Sequence, residues 1–472
     1  MGSWLTSSSI AGHTEAQRSA ERNRRAVANA IAGLVLRGSS LVVVLMSVPL
    51  TLDLLGPIRF GMWMTIASVV ALLSATDLGI GSGVLNTVSR AFGEGDRAAA
   101  RQYLASGLVA LTGIALLLGA AFVCVYSRVP WADLYNVRTD TLATSEAGPA
   151  TAVFVATFLV GMPLGLVGQV RAAHQEGFVQ SVFAGLGNML TIAFLLVAVA
   201  VRASLPVLVL AMAGGPIIAA TVNLIVLVRH QRPWLRPRRQ DVTTDAMRSV
   251  VRIGLAFMVL QLAYTVAFSA DRIVVAQVLG PAAVADYSVV YRLFSIPAAL
   301  AEIALLPLWP AYREAILRHD IAWVRLTLKR SFRVTILATI PLVTILVIAG
   351  PTIVDLWTSR GLSPTSGLYV ALGAFTVALG VANVFQVLLN GAQEMRFQIL
   401  TMTLMAILNL AASVYLAWRI GVAGVAVGSV IAIVAILTIP ALVYVPRLLR
   451  RLEQSDSRFV TLIPVDHADV GP

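Results

Sequence analysis

Charge is what this chain has least of. Only 12% of its 472 residues are Asp, Glu, Lys or Arg, and 58% are hydrophobic. A soluble domain carries about 25% charged residues, enough polar surface to cover its core. A water-soluble globule is therefore excluded. Cysteine is reduced to Cys124, which rules out an internal disulfide and a cysteine metal site. Lysine is reduced to Lys329, and every other basic residue is arginine. No GxxxxGK[ST], GxSxG, HExxH or CxxC occurs, so ATP-driven, serine-hydrolase and zinc-hydrolase chemistries lack their motifs. Neither a cofactor nor a metal is expected, and catalysis has little support. The histidines, at 13, 174, 230, 319 and 467, all fall between the apolar runs and offer no intramembrane proton relay.

What is present is apolar sequence in long runs. Stretches of more than ~18 apolar residues recur from end to end, the signal of spanning helices. The ~10-residue alternating segments of a transmembrane barrel do not appear. The runs predict an all-α integral membrane protein with about twelve transmembrane helices. They fall at 28–55, 60–88, 104–126, 150–170, 178–201, 205–228, 251–278, 284–310, 334–356, 367–390, 398–418 and 423–446. The expected organisation is a cytoplasmic tail at 1–27, a six-helix bundle at 28–228, a basic cytoplasmic linker at 229–250, a second six-helix bundle at 251–446, and a cytoplasmic tail at 447–472. No cleavage site follows the first apolar run, which predicts a retained first helix.

The net charge of +12 sits in the short connecting segments, where it reads as topology and not as a nucleic-acid surface. With both termini inside, 25 of the 35 basic residues lie in inside segments. Only Arg59, Arg128, Arg138, Arg202, Arg360 and Arg419 lie outside. Trp131, Tyr135 and Trp357 are expected to anchor the outer interface, and Cys124 to pack.

The two halves look alike. Leu55-Gly56-Pro57 matches Leu279-Gly280-Pro281, Asp77 matches Glu302, and Asp96 matches Asp320. Asp133-Leu134-Tyr135 matches Asp355-Leu356-Trp357, and Gln175-Glu176 matches Gln393-Glu394. Five matches in order, with slowly drifting offsets, predict two parallel repeats about a pseudo-two-fold axis along the membrane normal.

Intramembrane charges are the candidate functional groups, since each costs about 2.5–3.5 kcal/mol at a helix centre unless it faces protein or a wet cavity. Arg37, Arg272 and Arg292 are the candidate substrate-binding residues. Arg37 has no acid three or four residues away on its own helix. Asp77, Asp271 and Glu302 are candidates for gating or coupling, with simple pairing of Asp271 to Arg272 or Arg292 as the structural alternative. Arg252, at an inner edge, is expected to snorkel to head groups. Gly79-Ile80-Gly81-Ser82-Gly83 superficially matches part of a nucleotide loop, but its helical context predicts close helix packing instead.

Asp77-Leu78-Gly79-Ile80-Gly81-Ser82-Gly83 resembles the DLGxG segment of polysaccharide flippases. Asp271-Arg272-Ile273-Val274-Val275, Leu279-Gly280-Pro281 and Tyr287-Ser288 resemble the DR…LG…YS block of the same family. These are the O-antigen, capsule and exopolysaccharide translocases of the multidrug/oligosaccharidyl-lipid/polysaccharide exporter superfamily. The resemblance implies a MATE-like pair of six-helix bundles that alternates access in the bacterial inner (cytoplasmic) membrane. Its implied cargo is a lipid-linked anionic oligosaccharide on an undecaprenyl pyrophosphate-type carrier. Polysaccharide polymerases and glycosyltransferases are the expected partners, along with membrane lipids, and no nucleic acid. The rival readings are an ion-coupled multidrug or metabolite antiporter of the same superfamily and a membrane-embedded polysaccharide-assembly enzyme. Three arginines among the candidates favour an anionic cargo over a cationic drug. The largest outside segment, 127–149, is short for a catalytic domain.

Overall fold

A computed structural model describes residues 42–43, 46–71, 79–174, 176–305, 308–358 and 362–460, with some side chains of 256–268 and 455–460 left out. Every regular element among the described residues is helical. They run α1 (Met46–Ala71), α2 (Ile80–Gly93), α3 (Arg97–Tyr126), α4 (Trp131–Leu134), α5 (Thr141–Ala173), α6 (Gly177–Ala200), α7 (Leu205–Val226) and α8 (Thr244–Leu279). After these come α9 (Pro281–Leu305), α10 (Leu308–Leu317), α11 (Ile321–Trp357), α12 (Ser366–Gly391), α13 (Met395–Ile420), α14 (Val422–Ala432) and α15 (Ile439–Val460), with a π-helical stretch Ile433–Thr438 joining the last two. Ten helical stretches among the described residues are long and apolar enough to cross a membrane. The protein is an all-α, multi-pass integral membrane protein.

The chain forms two compact units. The first holds Met1–Asp286 and Asp355–Leu362, the second Tyr287–Val354 and Ser363–Pro472. In the first, Ile80, Val84 and Val88 of α2 pack with Leu104 of α3 and Leu166 and Val170 of α5. In the second, Tyr312, Val324, Leu388 and Leu448 bring α10, α11, α12 and α15 into one cluster.

The repeat is visible in local geometry. Gly56 and Gly280 have φ of +71° and +91°, a region that excludes most side chains. Each precedes a proline: Pro281 opens α9, which suits proline, and Pro57 lies inside α1. At Gly56, Arg59 donates to the carbonyls of Leu54 (3.0 Å) and Leu55 (2.9 Å), satisfying oxygens that the turn orphans. Asp96 and Asp320 both cap helices, accepting from the amides of Ala99 (2.9 Å) and Trp323 (3.0 Å). The residue before each cap, Gly95 or His319, takes a positive φ.

Small residues set helix separation. A β-carbon at Gly83 would stand 2.2 Å from the Val250 carbonyl oxygen, and one at Gly79 would stand 2.1 Å from that of Gly254. The backbones of α2 and α8 are therefore in contact, the packing predicted for this glycine run. Gly215 of α7 does the same against Gly187 and Thr191 of α6, and Gly428 of α14 against Ser413 of α13.

Three sequence expectations change. The loop after α3 is shorter than 127–149, because Asp140 caps α5 through Ala143 N (2.9 Å) and Pro149 lies inside that helix. Tyr135 is not an interfacial anchor but fully buried. Cys124 is exposed, on a helix whose Leu116, Leu117 and Val123 are also exposed and would meet acyl chains in a bilayer. Residues 227–243 carry short π and 3-10 turns, with Leu235 and Asp241 buried and Asp241 paired to Arg101 at 2.9 Å. Three long apolar helices, α5, α6 and α7, separate Val137 from Pro237. Reporter fusions at these two positions are expected on opposite sides of the membrane, and one shared side would break the layout.

Candidate functional site

Asp271 and Arg272 lie on α8, about two turns before its C-terminus. Asp271 is only 4% exposed, and Arg272 is half-buried. Consecutive helical positions point about 100° apart, so the two do not form an i,i+4 type pair along one face. Beyond them the end of α8 is tied to the α4 segment. Gln277 donates to the Leu134 carbonyl at 2.5 Å, and Asn136 donates to that of Ala276 at 3.5 Å.

In the other unit, α9 carries Arg292, half-buried, and Glu302, exposed. The Arg292 carbonyl accepts from the Ser295 hydroxyl at 2.6 Å. One residue before Arg292, Tyr291 stacks on Tyr287 with ring centroids 6.0 Å apart and meets Phe375 of α12 at 6.0 Å. Tyr287 and Tyr291 are at i,i+4 spacing on α9, and Arg292 follows them one position on. Arg37 and Asp77 lie outside the described residues. Of the candidates, the structure sets Asp271 beside Arg272 on one helix and Arg292 with Glu302 on another.

One buried polar assembly among the described residues was not among the candidates. Arg171, at the end of α5, is 1% exposed. Its Nε and Nη2 donate to Asn223 Oδ1 of α7 at 3.1 and 2.9 Å, and its Nη1 donates to Glu176 Oε2 at 2.8 Å and to Gln231. Asn223 in turn donates to Gln180 of α6 at 2.9 Å, and the second Glu176 oxygen accepts from Arg232. One carboxylate thus serves two arginines and pins three helix ends. Its repeat mate Glu394 accepts from the Tyr444 hydroxyl at 2.8 Å, and Tyr444 stacks on Phe397 at 4.1 Å. The signals in the sequence were Gln180 and Asn223, amides placed inside apolar runs.

Tyr135 lies between the α3 and α5 spans. Burial pushes its phenol up to about 12, and the 3.0 Å hydrogen bond with Thr151 only partly offsets this. The folded state therefore favours the neutral phenol. That contribution is complete below the unfolded value near 10 and is lost as pH rises through about 12. Tyr135→Phe is expected to flatten the loss of thermal stability above pH 10, while lowering stability at pH 7 by ~0.5–1.5 kcal/mol. Melting curves of both proteins across pH 7–11 check this.

Residues 26–311 match the family model described as polysaccharide biosynthesis protein. The chain belongs to this family. No curated protein matches this polysaccharide biosynthesis family member by sequence. Among solved structures it is similar to an inward-facing multidrug resistance MATE transporter of the MOP superfamily. The TM-score is 0.74 at 15% identity, covering 90% of this chain and 99% of that one. It is also similar to the lipid II flippase MurJ in an inward closed conformation, with a TM-score of 0.72 at 12% identity and 93% of each chain covered. A MOP superfamily transporter from Pyrococcus furiosus matches with a TM-score of 0.65 at 14% identity, over 91% of this chain and 96% of that one. The fold of this family member is MATE-like.

Proposed function

We propose that the protein is a flippase that carries a lipid-linked anionic oligosaccharide across the bacterial cytoplasmic membrane for cell-surface polysaccharide synthesis. The family match over residues 26–311 carries this reading, and the fold it shares with a lipid II flippase supports it. On this reading the carrier's acyl chain stays in the bilayer while sugar and pyrophosphate cross in a polar path. Arginine suits the pyrophosphate because its planar fork donates two parallel hydrogen bonds to anionic oxygens. Arg37, Arg272 and Arg292 are the proposed anion-binding groups, with Asp77, Asp271 and Glu302 serving gating or coupling. Deletion of the gene should make one lipid-linked intermediate accumulate on the cytoplasmic face, identifiable by mass spectrometry. A cell with an unchanged lipid-linked pool would refute the proposal.

The anion site has its own test. Arg37→Ala should weaken binding of a pyrophosphate-linked lipid by ten- to a hundred-fold, the loss of a charge-assisted contact worth about 1.5–3 kcal/mol. It should leave an uncharged glycolipid of equal tail unaffected, and Arg37→Lys should restore only part of the loss. Equal weakening of both lipids in monodisperse protein would make Arg37 structural. In the same preparations Asp77→Asn and Glu302→Gln should slow transport while keeping binding.

A further inference from the structure

In the second unit, one end carries a dense set of exposed cations on two helices that touch. Arg325 of α11 pairs with Glu453 of α15 at 2.7 Å, and Val324, Leu448 and Leu449 pack in the cluster beneath. On this frame Lys329, Arg330 and Arg333 of α11 and Arg447, Arg450 and Arg451 of α15 are all exposed. Among the described residues none of these six is in an ion pair. Three described carboxylates nearby already have partners. Glu453 holds Arg325, Glu394 holds Tyr444, and Asp320 caps α11.

Helix length places this surface. α11 has 37 residues, about 55 Å at ~1.5 Å per residue, against a hydrocarbon core of ~30 Å. Its Val334–Trp357 part is free of basic residues and long enough to span, which leaves Ile321–Arg333 at head-group depth. Trp323 and Leu326, exposed on the same turns, are apolar groups that open water disfavours and a head-group interface accepts. Cations interleaved with exposed Trp and Leu fit a lipid surface better than a soluble anion or a folded acidic protein.

We infer that the paired ends of α11 and α15 form a docking surface for anionic phospholipid head groups, aligned by the packing of Val324, Leu448 and Leu449. The lipid phosphates lie against the six cations while Trp323 and Leu326 enter the acyl boundary. This surface is separate from the cargo groups proposed above, and its test does not measure transport.

The full chain, purified in detergent, is titrated with fluorescent phosphatidylglycerol and, separately, with phosphatidylcholine. Lys329→Gln/Arg330→Gln/Arg333→Gln and Arg447→Gln/Arg450→Gln/Arg451→Gln are compared with native protein and with Arg236→Gln/Arg238→Gln/Arg239→Gln, exposed arginines of the first unit. With each basic residue near an anionic surface contributing about fivefold, each of the first two variants should weaken phosphatidylglycerol binding by roughly a hundredfold. Phosphatidylcholine binding should not change, and the linker variant should bind as native. The proposal fails if the α11 and α15 variants retain native phosphatidylglycerol affinity, or if the linker variant loses as much. It also fails if inorganic phosphate at matched concentration displaces the lipid, which would make the patch a simple anion site. Glu453→Ala removes an acid from the surface and leaves the packing of Val324, Leu448 and Leu449 in place, so phosphatidylglycerol should bind as tightly as native or tighter. Weaker binding would overturn the proposal that the exposed cations hold the lipid.

Discussion

Glu176→Ala is expected to destabilise the protein by about 3–5 kcal/mol, the loss typical when one member of a buried ion pair is removed. The substitution takes away the carboxylate shared by Arg171 and Arg232, whose side chains are 1% and 10% exposed in the two pairs. Arg171 then keeps only the amide oxygens of Asn223 and Gln231, and Arg232 loses the carboxylate it donates to. Glu453→Ala is the matched control. Its pair with Arg325 is more than 40% exposed on both sides, and such pairs contribute ~0–1 kcal/mol. Arg171→Met placed on top of Glu176→Ala should recover part of the loss, since one stranded cation is removed. Melting temperature and monodispersity of each purified variant decide the matter. Equal losses for Glu176→Ala and Glu453→Ala would mean that water screens the inner network.

Gly83→Leu is expected to be nearly as damaging, by a steric route. No side chain fits where a first carbon would lie 2.2 Å from a backbone oxygen, and the neighbour is the main chain of α8, which cannot rotate away. Overpacking commonly costs about 1–3 kcal/mol, and here the two helices must part before any side chain enters. Gly93, at the end of the same helix, has nothing within 4 Å of its would-be β-carbon. Gly93→Ala should be neutral or gain ~0.5–1 kcal/mol through helix propensity. Yield of folded protein after detergent extraction separates the two. A well-folded Gly83→Leu variant would disprove the backbone contact.

The sequence announced some features more clearly than others, for physical reasons. Turns were legible because they demand particular residues. Gly56 and Gly280 take a positive φ before proline, and Asp96 and Asp320 cap the helices that follow, so two of the five matches that announced the internal repeat have a shared local geometry behind them. The fold class followed from apolar length alone. Burial of polar groups was not legible. The asymmetry of arginine between loops says on which side of a membrane a residue lies, not whether it faces water. Arg171 was thus counted with the loop cations, although Asn223 and Glu176 enclose it. Tyr135 misled in the same way, because an aromatic near a helix end suits both a lipid interface and a small core closed by Thr151. Asp271 was recognisable as a charge within a span, and its burial agrees with the rule that such groups turn away from lipid.

The first compact unit includes Asp355–Leu362, although the chain leaves that unit at Asp286 and passes through α9, α10 and most of α11 before returning. Biosynthesis runs in one direction, at about 5–20 residues per second. A nascent chain that has delivered α1 to α8 to the membrane therefore holds an incomplete unit for several seconds, until the segment after α11 emerges. A truncation ending just after α8 should behave as a degradation substrate in the cell, not as an autonomous half-transporter. Splitting the gene between α7 and α8 separates α8 and the returning segment from the other helices of their unit, and only co-expression of both pieces could restore it.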